Sequence, residues 1–356
     1  MDIQVLKQTA KAMVASGKGI IAADESAGTC KKRFDSVGLE STEETRRAYR
    51  TMMFEAPGIE EYISGVILYD ETIRQKGSDG TPVPELLSKK GILPGIKVDA
   101  GAKDLALHPE EKVTEGLDSL RERLAEYKAM GAKFAKWRAV ITIGGEHLPA
   151  GRQVPSDACI HANAHALARY AALCQEAGIV PMVEPEVLID GDHTLEQCYE
   201  ASARALKKTF EELKGQDVAM EGVILKASMV ISGKKAANQS SVEEVAEATL
   251  KYLKETVPPN LAGVVFLSGG QGDEQATAHL NKMNQMGAAA LPAGRQVSFS
   301  YSRAIQNPVL KIWADPPAGG PANREKAQAA LLFRAKMNSL AAQGKYADEM
   351  EKERPY

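Results

Sequence analysis

The sequence predicts an α/β protein built as a single (β/α)8 barrel of the TIM type, and three observations point there. Short apolar runs alternate with longer amphipathic segments along the whole chain, the short runs number eight, and nearly all of them end in a polar or charged residue. Alternating strands and helices argue a parallel sheet, and eight such units argue closure. An open doubly wound sheet would normally carry a GxGxxG turn after its first strand. Here that strand runs into Asp24-Glu25-Ser26, so the open sheet is set aside. The chain has 356 residues, a length that α/β barrels reach as one unit. The expected organisation is one barrel over residues 1–346 and a short flexible C-terminal tail over residues 347–356.

The first four strands are read at Gly19–Ala23, Ile63–Tyr69, Gly91–Val98 and Lys133–Val140. The remaining four are Ile179–Val183, Gly222–Leu225, Ala262–Leu267 and Val297–Tyr301. Between them, apolar residues recur at helical spacing over Glu43–Glu55, Val113–Met130, Ile160–Ala177, Leu195–Leu213, Val242–Thr256 and Asp273–Met286. Arg324–Leu340 adds a last helix. The heptapeptide LPAGRQV occurs twice, at Leu148–Val154 and Leu291–Val297, with unrelated flanks. One short word repeated is not a solenoid unit and reads as two insertions. The first lies in the loop after the fourth strand and is expected to be dispensable; the second abuts the eighth strand and is not.

Bulk properties exclude several classes. The net charge is −3, with no lysine- or arginine-rich run, so no nucleic-acid partner is expected. No stretch is long and apolar enough to cross a membrane, and the N-terminal apolar positions (Ile3, Leu6, Ala10, Met13, Val14) are broken by Lys7 and Lys11, unlike a signal peptide. Cys30, Cys159, Cys174 and Cys198 form no CxxC pair and read as reduced thiols. The expected location is cytoplasmic.

In a parallel barrel, residues at the strand C-termini surround the mouth, and an ionisable residue inside a strand needs a reason. In order, the strand ends supply Asp24; Lys97 and Asp99; Lys136 and Arg138; Glu184 and Glu186; Lys226; Ser268-Gly269-Gly270; and Arg303. Each pair is spaced i, i+2 and so points one way. A single such residue is more often a solvated strand end, but convergence of this many suits an anionic substrate. Lysine is nucleophilic only when its ammonium is disfavoured, which neighbouring cations and an apolar surround both achieve. Lys226 follows Gly222-Val223-Ile224-Leu225 and is the expected nucleophile, with Lys136 and Lys97 as the neighbouring cations. Asp24, Glu184 and Glu186 can move protons. The alternative is metal chemistry. His161 and His165 stand four apart, but the word HANAH lacks the glutamate of HExxH, so no metal and no cofactor are expected.

These residues bring a family into view. GIIAADES (19–26), GVILYDET (65–72), GIKVD (95–99), KFAKWR (133–138), VEPE within 178–193, FLSGGQ within 256–271 and SFSYSRA (298–304) resemble class I fructose-1,6-bisphosphate aldolase, from about Leu6 to Tyr346. The resemblance implies a barrel, usually tetrameric, that splits a doubly phosphorylated sugar into two triose phosphates. It implies Lys226 as the Schiff-base lysine, Glu184 with Glu186 as acid/base, and Asp24 at the C4 hydroxyl. Lys136 and Arg138 would handle charge and phosphate, and Lys97 substrate hydroxyls. Ser268, Gly269 and Arg303 would hold one phosphate, and Ser26, Thr29, Lys32 and Arg33 the other. The chain departs from the family pattern at Ser302, usually Gly, and at Ala227-Ser228, usually Pro-Asn. The segment ending in Tyr356 is also shorter than usual. A related bisphosphorylated sugar is the rival substrate. A non-catalytic scaffold is disfavoured, because Lys226, Glu184, Asp24 and Arg303 are all present.

Overall fold

The computed structural model describes residues 2–144, 154–287, 291 and 297–356. Its strands are β1 (Gly19–Ala23), β2 (Ile63–Leu68), β3 (Leu93–Lys97), β4 (Ala102–Asp104), β5 (Lys112–Thr114), β6 (Phe134–Ile141), β7 (Val180–Val187), β8 (Ile224–Ala227), β9 (Gly263–Phe266) and β10 (Ser298–Tyr301). β1, β2, β3, β6, β7, β8, β9 and β10 pair in parallel with their sequence neighbours, and β10 closes onto β1. All eight expected strands therefore form one closed barrel. β4 and β5, unforeseen from the sequence, make a separate antiparallel ribbon.

Helices α1 (Ile3–Met13), α2 (Ala27–Asp35), α3 (Glu43–Phe54), α4 (Asp70–Ile73), α5 (Val83–Lys89) and α6 (Leu120–Ala129) occupy the first part of the chain. They are followed by α7 (Asp157–Glu176), α8 (Leu195–Gly215), α9 (Val242–Thr256), α10 (Asp273–Gln285), α11 (Arg303–Ala314) and α12 (Pro321–Ala341). The helix expected from Val113 starts only at Leu120. Thr114 is diverted into β5: its N–H donates to Asn163 Oδ1 and its hydroxyl to the Arg138 carbonyl. Gly116 and Ser119 then both take positive φ, which a helix cannot accommodate. Long-range partners override the local period.

Alternation along each strand sorts the barrel into two environments. Outward residues such as Ala135, Trp137, Ala139, Val183 and Leu225 pack in the large core under the helices. Inward residues Ile20, Ala22, Ile67, Phe134, Val180, Met182, Ile224 and Val265 fill the lower barrel as a second cluster with Leu6, Ala10 and Met13 of α1. α1 is thus the plug at the N-terminal end of the strands. Asp2 caps it by accepting from the N–H groups of Gln4 and Val5. Above this apolar layer, the same inward positions turn ionic.

Of the two LPAGRQV copies, only Val154, Leu291 and Val297 fall within the described residues, and the expectation about the loops themselves lies outside them. All three are buried. Val297 is fixed just before β10 by two hydrogen bonds with the Asn284 side chain.

The tail expected to be flexible has partners. Asp348–Glu353 forms a 3-10 helix, and Glu351 receives Arg334, which is fully buried, at 2.7 Å, and Arg354 at 2.7 Å. Arg354 also reaches Glu274 at 2.6 Å. Tyr356 lies edge-on to Phe333, with ring centroids 6.2 Å apart. The sequence shows a polar decapeptide; the buried guanidinium that anchors it comes from α12.

A close approach inside the barrel offers a test of this packing. A Cβ built on Gly95 would lie 2.2 Å from the Phe134 ring, which is itself fully buried. Gly95→Ala is expected to destabilise the protein by about 1–3 kcal/mol through overpacking. An unchanged thermal midpoint would contradict this layer of the barrel.

Candidate active site

Register brings the inward ionic residues together. Lys97 of β3 stands opposite Lys136 of β6, and Arg138 opposite Glu184 of β7. Val183 pairs with Leu225, so Glu184 and Lys226 are the next residues along β7 and β8. Lys226 Nζ lies 3.0 Å from Glu184 Oε1. Lys136 Nζ lies 2.6 Å from Asp24 Oδ2 and 3.1 Å from Glu184 Oε2. That last contact is close enough for attraction but off a hydrogen-bonding line, so Oε2 remains an unused acceptor. The side chains of Lys226, Lys136 and Glu184 are each 4% exposed, so these charges must compensate one another.

Charge alternation is the organising feature: Asp24, Lys136, Glu184 and Lys226 form a chain of opposite signs. Burial works against the Asp24 carboxylate, but Lys136 and then Lys226 outweigh it and hold the carboxyl well below the usual range. Burial likewise opposes the Lys136 ammonium, yet Asp24 and Glu184 hold it well above its ordinary value. Glu184 is lowered for the matching reason: Lys136, Lys226 and Arg138 overcome burial. The sequence suggested Lys136 and Lys97 as cations acting directly on Lys226. Instead each carries a carboxylate, since Lys97 Nζ is 2.7 Å from Asp99 Oδ1. Arg138 is bound to Glu186 through Nε.

The rim is built from helix starts and loops. Ser26 caps α2, its hydroxyl accepting from the Thr29 N–H at 3.3 Å, which puts Ser26 and Thr29 at the opening turn of the helix and Lys32 and Arg33 on its last turn. Helix N-termini favour anions. On the far side, Gly269 and Gly270 have φ of +59° and +95°, a turn that L-residues resist, and it exposes successive N–H groups beside Ser268. Arg303 opens α11, and its side chain has no hydrogen-bond or ion-pair partner among the described residues. Burial, then Arg33, push its guanidinium below its ordinary value, which an arriving anion would relieve.

All fourteen residues singled out from the sequence line one cavity of about 780 Å³ at this mouth: Asp24, Ser26, Thr29, Lys32, Arg33, Lys97, Lys136, Arg138, Glu184, Glu186, Lys226, Ser268, Gly269 and Arg303. Tyr356 is not among its lining residues. The cavity also takes in Glu25, Asp99 and Ser302, which had no assigned role. Asp99 carried a signal, its i, i+2 spacing from Lys97. Lys234, whose Nζ would lie 2.9 Å from a Cβ on Gly270, carried none, because only the fold places it beside the glycine turn. Ser302 has φ of −107°, so replacing the family's usual glycine brings no left-handed strain. Ser228 accepts from the Val187 N–H at 3.0 Å and so ties β7 to the strand bearing Lys226. His161 and His165 are both engaged through Nδ1 by Glu212 of α8, outside this mouth.

A parallel barrel with a buried lysine against a carboxylate, ringed by anion-binding groups, defines an enzyme for a phosphorylated carbonyl compound. Comparison with known proteins narrows this. Residues 5–355 match the family described as fructose-bisphosphate aldolase class-I. A probable fructose-bisphosphate aldolase class 1 of Xanthomonas campestris is 58% identical over 97% of this chain and 99% of its own length. Fructose-bisphosphate aldolase 1 of Toxoplasma gondii is 49% identical over 96% and 90%. The crystal structure of Plasmodium falciparum fructose-bisphosphate aldolase superposes with a TM-score of 0.91 at 44% identity, covering 97% and 95% of the two chains. The chain belongs to the class I fructose-bisphosphate aldolase family, and is a lyase.

The central ion pairs make a prediction about stability. Lys136→Met leaves Asp24 and Glu184 buried without their cation, and is expected to cost about 3–5 kcal/mol at neutral pH. Both carboxyls are lowered in the folded protein, so their contribution is present above the ordinary carboxylate pKa and is lost as pH falls through the folded values. The gap in unfolding midpoint between wild type and variant should therefore shrink on acidification below about pH 4. A gap that is constant or widens with acid would show that Lys136 does not hold these carboxylates ionised.

Proposed function

We propose that the chain cleaves and re-forms fructose 1,6-bisphosphate through a Schiff base on Lys226, giving dihydroxyacetone phosphate and glyceraldehyde 3-phosphate. The observation that carries this reading is the Lys226–Glu184 contact of 3.0 Å between two side chains, each 4% exposed, that line the cavity at the barrel mouth. Glu184 relays two protons in turn from the Lys226 nitrogen to the C2 oxygen. The first leaves the ammonium so that the amine can attack C2, and the second leaves the nitrogen of the carbinolamine. The twice-protonated C2 oxygen departs as water to leave the iminium. The resulting iminium accepts the electron pair of the C3–C4 bond while Asp24 takes the C4 hydroxyl proton. Glyceraldehyde 3-phosphate departs, the enamine is protonated at C3, and hydrolysis frees the second triose phosphate and Lys226. Lys136 stays charged between Asp24 and Glu184, and Glu186 holds Arg138 over the substrate; Lys97 meets its hydroxyls.

Ser268 follows β9, next to the strand that bears Lys226, so the phosphate one carbon from the reacting C2 belongs with Ser268, Gly269 and Arg303. The distant phosphate belongs with Ser26, Thr29, Lys32 and Arg33. This reading takes the protein to be a cytoplasmic homo-oligomer, expected as a tetramer from the sequence resemblance, that works without cofactor or metal. Among the described residues no helix is long and apolar enough to cross a membrane.

Borohydride reduction in the presence of dihydroxyacetone phosphate should inactivate the enzyme and leave a three-carbon phosphate adduct on Lys226, with turnover unaffected by chelator. An adduct on Lys136 or Lys97 would overturn the assignment. Glu184→Gln should slow imine formation and release by roughly a hundredfold or more, because an amide cannot shuttle protons. Turnover like that of the wild type would remove Glu184 from this role. Arg303→Ala should chiefly raise KM, by losing a charge-assisted donor to phosphate; an unchanged KM would place Arg303 outside the binding site.

A further inference from the structure

Ser302 sits between the two groups of phosphate-binding residues, and its hydroxyl is fully used. It donates to Glu25 Oε1 at 2.6 Å and accepts from Arg33 Nη2 at 2.9 Å. Gln306 Nε2 lies 3.2 Å from the same oxygen and 3.1 Å from Glu25 Oε1. Arg33 Nη1 donates to that carboxylate oxygen at 2.6 Å, so Arg33, Glu25 and Ser302 close a ring. Glu25 is itself fixed from behind: Arg50, 1% exposed, donates to its carbonyl at 2.5 Å and lies 3.8 Å from Oε2. Gln306 is held by donating to the Ala22 carbonyl at 2.7 Å.

The guanidinium of Arg33 has five N–H donors, and this ring occupies two of them on separate nitrogens. Two anchored bonds fix the plane of the fork, and the remaining donors are left for a phosphate. With glycine at 302, Glu25 alone would hold Arg33 and the fork could swing about that single contact. An oriented fork binds a phosphate without first losing rotamer freedom.

We propose that Ser302 is a positioning residue: its hydroxyl orients Arg33 for the distant phosphate and so sets the affinity for doubly phosphorylated over singly phosphorylated ketoses. This rests on the substrate reading above. It differs from a direct contact between Ser302 and substrate, because the effect passes through Arg33.

Steady-state kinetics on fructose 1,6-bisphosphate and fructose 1-phosphate separate these ideas, using wild type, Ser302→Ala, Ser302→Thr, Arg33→Ala and the Arg33→Ala/Ser302→Ala double variant. Ser302→Ala is expected to raise KM for the bisphosphate roughly fivefold, about the net worth of one ordinary hydrogen bond, with kcat within about twofold. Ser302→Thr keeps the hydroxyl and should restore most of the affinity. KM for fructose 1-phosphate, which lacks the phosphate that Arg33 serves, should not change. In the Arg33→Ala background, Ser302→Ala should add nothing. The inference is overturned by an unchanged bisphosphate KM in Ser302→Ala, by an equal rise for both ketoses, or by full additivity with Arg33→Ala. A wild type inactive on both ketoses would instead remove the substrate reading, and this inference with it.

Discussion

The site depends on Lys136 being held between Asp24 and Glu184. A lysine ammonium 4% exposed at the centre of a barrel is tolerable only if its charge is met at short range, and the two carboxylates do that from the residue after β1 and from β7. Their compensation has a second consequence. Glu184 uses one oxygen toward Lys226 and leaves the other without an aligned hydrogen bond, so a proton carrier is placed beside a nucleophile before any substrate arrives. The same attraction that stabilises the buried charges therefore prepares the chemistry.

That arrangement requires the lower barrel to be dry and rigid. Inward residues below the ionic layer are apolar, and α1 seals the end with Leu6, Ala10 and Met13. Access to the charges is then from the mouth, where α2, the Gly269–Gly270 turn and the start of α11 present their N–H groups and cations. The barrel thus separates two tasks along one axis: apolar packing below, compensated charge and anion binding above.

The strands were legible because a parallel barrel buries them on both faces, leaving continuous apolar runs bounded by polar ends. α8, α9 and α10 were legible because one face packs on the barrel and gives a clear helical period. β5 was misread as helix, since Thr114 owes its conformation to Asn163 and Arg138, both distant in sequence. α2 and α11 escaped notice because they immediately follow the strand ends, where the polar site residues obscure the period. The anchoring of the C-terminal segment was hidden for a similar reason: Arg334 and Glu351 are ordinary charges until α12 buries the arginine.

For the site, the sequence by itself determined the membership. The i, i+2 spacing of Lys136 with Arg138 and of Glu184 with Glu186 obliges each pair to share a face, and strand ends gather at one mouth. Which charge meets which was decided only by tertiary structure. Register between neighbouring strands sets Lys226 against Glu184, and closure of β10 onto β1 brings Ser302 to Glu25 and Arg33 across nearly the whole length of the chain. Side-chain periodicity is a local property that residue order encodes directly, whereas pairing across a closed barrel depends on stagger and curvature that no single segment carries.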